Sequence, residues 1–65
     1  MKQYDVISVK NDIPKNNLKK GMKGTIVLVF DDPQLAYEVE FSDESGETID
    51  TVVLYPDQVE LIWES

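Results

Sequence analysis

The chain has 65 residues, and a domain of that size buries only about 60% of the surface its unfolded chain exposes, which leaves a thin core and no depth for a catalytic cleft. Six lysines and no arginine face thirteen aspartates and glutamates, a formal charge of −7, and histidine and cysteine are both absent. Their absence removes the side chains that most often act in nucleophilic and acid–base chemistry at neutral pH, and it excludes Cys/His zinc sites and disulfides. The chain is therefore expected to be a non-enzymatic single domain over residues 1–65, needing no cofactor and no metal.

The first residues, Met1 to Asp5, lack the apolar stretch of a secretory signal, and no apolar run approaches the roughly 20 residues that span a bilayer. A cytoplasmic protein without membrane contact is expected. Charge is segregated along the chain. All six lysines lie within residues 1–24 beside only Asp5 and Asp12, a net +4, and the remaining residues carry −11. That asymmetry can steer a charged partner.

Tyr4-Asp5-Val6-Ile7-Ser8-Val9 is rich in β-branched and aromatic residues and predicts a first strand. The stretch Lys10 to Lys20, with Ile13-Pro14 and Asn16-Asn17, predicts a long loop tied to the core by Ile13 and Leu18. Gly21 and Gly24 lead into Thr25-Ile26-Val27-Leu28-Val29-Phe30, an unbroken apolar run that predicts the central strand. Regular alternation would turn Ile26, Leu28 and Phe30 to one face and Val27 and Val29 to the other.

Asp31-Asp32-Pro33-Gln34-Leu35 predicts a turn. Ala36-Tyr37-Glu38-Val39-Glu40-Phe41 then alternates with a period of two, placing Tyr37, Val39 and Phe41 inward and Glu38 and Glu40 outward. A second turn, Ser42 to Glu47, carries Gly46 for a positive φ, and Thr48 to Leu54 predicts a fourth strand whose alternation slips near Asp50-Thr51. Tyr55-Pro56-Asp57-Gln58 predicts one helical turn, and Val59 to Trp63 a last strand. The fold class that follows is all-β, a small five-stranded antiparallel barrel with a 3₁₀ turn before its last strand. Its expected core is Val6, Ile26, Leu28, Phe30, Tyr37, Val39, Phe41, Ile49, Val53, Val59 and Leu61.

This order of strand, long loop, three-stranded meander, 3₁₀ turn and closing strand resembles SH3-like barrels, with Tyr55-Pro56-Asp57-Gln58-Val59-Glu60-Leu61-Ile62 similar to the segment that ends them. The acidic tyrosine motif and the tryptophan that build the proline-peptide groove of signalling SH3 domains have no counterpart here, since Trp63 lies in the last strand. Leu18-Lys19-Lys20-Gly21-Met22-Lys23-Gly24-Thr25-Ile26-Val27, with Ala36 to Phe41 and Gly46-Glu47-Thr48-Ile49, resembles a family of short bacterial proteins of unknown function. Met22 departs from that pattern, which has an acidic residue there. The resemblance implies a fold and a bacterial cytoplasmic setting, with no activity to carry over. The two-glycine lead into an apolar strand also resembles the KOW motif of ribosomal and transcription-factor barrels.

Candidate sites are surfaces. Gly21 and Gly24 lack the spacing and the following Lys-Ser/Thr pair of a phosphate-binding loop. Asp43 and the acidic residues near it fail the EF-hand spacing, and no pair of carboxylates stands out among thirteen. An apolar pair, Val27 and Val29, beside Glu38 and Glu40 and near Asp43, Glu44, Glu47 and Asp50, is the expected docking surface for a basic protein partner. Such a module would be an antitoxin, immunity or inhibitor protein. The alternative is an RNA or ribonucleoprotein contact through Lys10, Lys15, Lys19, Lys20 and Lys23, or an acidic face that imitates nucleic acid. Both a monomer and a homodimer are compatible with exposed edge strands.

Overall fold

A computed structural model describes residues 1–42 and 45–65, and Ile49 by its backbone alone. Five strands form one antiparallel sheet: β1 (Val6–Val9), β2 (Lys23–Phe30), β3 (Ala36–Ser42), β4 (Thr48–Leu54) and β5 (Val59–Trp63). Their spatial order is β4-β3-β2-β1-β5, so the meander β2-β3-β4 stands on one side of β1 and the last strand returns to its other side. Two single 3₁₀ turns, Pro14–Asn16 and Pro56–Gln58, complete the regular structure of the described residues, each opened by a proline whose fixed φ suits a first helical position.

The second turn is closed by Gln58, whose side-chain oxygen accepts from the Tyr55 N–H at 2.8 Å while its own N–H donates to the Tyr55 carbonyl at 2.9 Å. The long loop over 10–20 is anchored as the sequence predicts. Ile13 and Leu18 form an isolated β-bridge, and Leu18 is buried. The turn-favouring residues Pro14 and Asn16 of that loop form its 3₁₀ turn.

The two glycines before β2 do different work. Gly21 adopts φ +89, a left-handed conformation, whereas Gly24 is required by space: a Cβ there would lie 2.6 Å from Val39 Cγ1 and 2.9 Å from the Phe41 ring. That close approach seats β2 on the core side chains of β3. The core itself is Ile7, Val9, Leu18, Ile26, Tyr37, Val39, Phe41, Val52, Leu54 and Val59.

Ile26, Tyr37, Val39, Phe41 and Val59 of the expected core are buried, but Val6, Leu28, Phe30, Val53 and Leu61 are not. The physical cause is a set of one-residue slips in the ladders, each of which reverses the face of every residue beyond it. In β2, Ile26 pairs with Val39 and Leu28 with Glu38, so Val27 is an extra residue and Leu28 and Phe30 leave the core face. In β4 the slip falls between Asp50 and Thr48, one step earlier than predicted, so Val52 and Leu54 turn inward and Val53 outward. The side chain of Ile49 lies outside the described residues.

In β1 the inward pair is Ile7 and Val9, and half-buried Val6 joins the opposite face, between Thr25 and Trp63. Leu61 pairs with Ile7 yet remains exposed, because β5 is an edge strand with no strand beyond it.

Candidate protein-docking face

The slips in β2 and β4, with a third between Val6 and Ile7 where β1 pairs with β5, assemble a surface that alternation alone does not reveal. Directly paired residues share a face, so one row across the meander reads Leu28, Glu38, Val53 and the next reads Thr25, Glu40, Thr51. The second row continues through Val6 to Trp63, crossing all five strands. Leu28 and Val53 are 46% and 48% exposed, and Glu38 between them is half-buried. Glu40, also half-buried, lies one row away, about 7 Å along β3.

Neither carboxylate has an ion pair or a hydrogen-bond donor among the described residues. Flanking apolar side chains lower the local dielectric, so a cation reaching these carboxylates from outside would meet less screening than at a fully solvated site. The arrangement is suited to receive an ammonium or guanidinium group whose aliphatic stem lies along Leu28 or Val53.

Val27 and Val29 do not belong to this face. Val27 is the extra residue, half-buried, with its carbonyl accepting from Gln3 Nε2 at 2.9 Å. Val29 pairs with Tyr37, on the side opposite Glu38, and is 36% exposed. The apolar partners of Glu38 are instead Leu28 and Val53, and the sequence signal that could have found them is the long, uninterrupted apolar run of β2, which a bulge can split between faces.

Of the other acidic positions, Asp50 pairs with Phe41 at the far end of β4, and Glu47 lies outside the strands. Asp43 and Glu44 lie outside the described residues. Among the described residues no cluster of three or more metal-ligating side chains forms.

Lys10, Lys15, Lys19, Lys20 and Lys23 are all exposed. Their placement is divided: Lys15 is in the first 3₁₀ turn, Lys23 stands in β2 opposite Ser8, and the backbone N–H of Lys20 is held by the Asp12 carboxylate at 2.8 Å. No helix among the described residues is long and apolar enough to cross a membrane.

One buried charge was not foreseen. Asp5 is 1% exposed, and its carboxylate accepts from the backbone N–H groups of Ser65 at 3.0 Å and Lys2 at 2.9 Å, with Lys2 Nζ 3.4 Å away. Those donors, the Ser65 N–H foremost, hold its pKa down to about 2. Asp5 thereby pins the end of β5 to the start of β1, beside the Trp63 end of the long row. It fixes the face and does not belong to it.

No curated protein and no solved structure matches the chain. A family pattern does, over residues 3–61, a span that includes all five strands except the end of β5. The chain belongs to that family, described as a domain of unknown function (DUF4926).

Proposed function

We propose that this is a non-enzymatic, acidic protein-binding module that covers a basic surface on a partner protein, as an antitoxin, immunity protein or inhibitor does, on a small SH3-like barrel in the bacterial cytoplasm. The observation that carries the reading is the row Leu28, Glu38, Val53: a half-buried carboxylate, with no ion pair among the described residues, between two exposed apolar side chains. A solubilising charge has no need of apolar neighbours, whereas a docking site for a basic side chain uses both. Net charge supports the row, since the chain carries −7 overall and Glu38 and Glu40 lie in the segment 25–65 that carries −11, which favours basic partners.

The test is capture from the source organism's lysate, with and without nuclease, by the wild type and by the Glu38→Lys/Glu40→Lys variant. A net-basic protein retained in stoichiometric amount, resistant to nuclease and lost with the variant, supports the reading. Material that disappears with nuclease, and is lost instead when Lys19 and Lys20 become Glu, assigns binding to the lysine-bearing loop and overturns it.

A further inference from the structure

Resting on that reading, we infer that the free edge of β4 is a strand-addition site, and that the partner enters it as an extended segment with basic and apolar residues in alternation. β4 pairs with β3 on one side only. Along its other side the consecutive residues Asp50 to Tyr55 line an open groove of about 510 Å³, whose far wall is Ile13, Lys15 and Asn16 of the first 3₁₀ turn, with Gln58 at one end. Six consecutive residues lining one groove, both faces of the strand included, mean that the backbone edge itself forms its wall. From Thr48 to Leu54 the strand holds no proline and no lysine, the residues that commonly block an edge; the Thr51 and Tyr55 N–H groups are held at 2.8 Å by the Asp50 carboxylate and the Gln58 side-chain oxygen, so an added strand bonds first at Val53.

Charge and register select the occupant. A strand added beside β4 extends the two rows of the docking face, so that its outward residues follow Val53 and Thr51. Glu38 and Glu40 then lie two strand spacings away, about 10 Å, a gap that a lysine or arginine crosses with its stem over Val53 or Thr51 and its charge at the carboxylate. Alternate residues on the added strand are about 7 Å apart, the same interval that separates Glu38 from Glu40. The inward residues of that segment face Ile13 and the side of β4 that carries Asp50, Val52 and Leu54, so those beside Ile13, Val52 and Leu54 are apolar. Main-chain hydrogen bonds supply affinity and the alternating side chains supply specificity.

The probe is a short acetylated, amidated peptide in which lysine alternates with valine, added to isotope-labelled protein and compared with a peptide of the same composition whose lysines are in one block. The expected result is slowed hydrogen exchange at the Val53 amide with the alternating peptide only, and affinity that falls roughly threefold to tenfold in the Glu38→Gln/Glu40→Gln variant. Shifts at Glu38 and Glu40 without slowed edge amides overturn the edge site and leave the acidic-face reading standing. Equal binding of the two peptides, or no binding of either, overturns the inference. Slow edge amides in the free protein together with a doubled mass overturn it in favour of a second copy.

Discussion

Leu28 stands directly opposite Glu38, although three residues of regular β alternation place Leu28 on the same side as core residue Ile26. The extra residue Val27 separates the two, and the neighbouring strand adds Val53 on Glu38's other flank. A buried and an exposed aliphatic residue thus sit two positions apart in one strand, and their substitutions should differ sharply. Ile26→Ala should cost about 2–5 kcal/mol, enough to unfold much of a domain this small. Leu28→Ala should cost less than about 1 kcal/mol. Urea denaturation of both variants decides it, and equal losses would mean that Leu28 is packed inside.

Gly24 offers a second test of packing. Its missing Cβ leaves room for Val39 Cγ1, 2.6 Å from where that atom would be, so Gly24→Ala should destabilise by about 1–3 kcal/mol through overpacking. Val39→Ala removes the nearest obstructing atom. The double variant should therefore lose less than the two single losses added together, with a residue of strain left because the Phe41 ring stays 2.9 Å away. Strict additivity in thermal unfolding would show that the contact with Val39 is not what demands glycine.

Element types and most boundaries were legible in the sequence because β-branched runs and proline-marked turns alternate cleanly: β4 and β5 span the residues predicted for them. Which face each strand presents was legible only where polar residues mark it. In β3 the glutamates make the alternation visible, and Tyr37, Val39 and Phe41 are buried as expected. In β2 every residue from Ile26 to Phe30 is apolar, so nothing in the composition marks where the ladder slips, and the slip is decided by the packing of Gly24 on β3 and by the tertiary pairing. The outward placement of Glu38 and Glu40 was therefore predictable, and their apolar neighbours Leu28 and Val53 were not. Asp5 escaped notice for a different reason: its donors are backbone N–H groups, one of them sixty residues away, which no local pattern encodes.

Trp63 reports on the long row of the docking face without any labelling. It is the chain's one tryptophan, 59% exposed, and pairs with Val6 in the row that reaches Glu40. Its emission in the folded protein should resemble that of a solvated indole and change little in wavelength on unfolding. Acrylamide should quench it readily. A partner that covers the whole row should shift the emission to shorter wavelength and protect it, whereas one confined to Glu38 and Val53 should leave it unaltered. A blue-shifted, quencher-resistant signal from the free protein at low concentration would contradict the exposure of this end of the sheet.

The Asp5 clasp predicts how stability depends on pH. Its carboxyl titrates at about 2 in the folded chain against an ordinary 3.8, because the ionised form accepts from the N–H groups of Ser65 and Lys2. A folded value below the unfolded one means that the unfolded chain binds the proton more readily. The clasp's contribution is therefore complete above the ordinary value, shrinks as pH falls from 3.8 toward 2, and is absent below. Asp5→Asn lacks the charge at every pH. Urea midpoints of the wild type should exceed those of the variant at neutral pH, and the two series should converge across that acid window. Exchange of the Ser65 amide should quicken in the variant, since its acceptor loses the charge that strengthens the bond. Midpoints that run parallel from neutral pH down to 2 would show that joining the end of β5 to the start of β1 contributes nothing through this carboxylate, and the row from Trp63 to Glu40 would then be held by strand pairing alone.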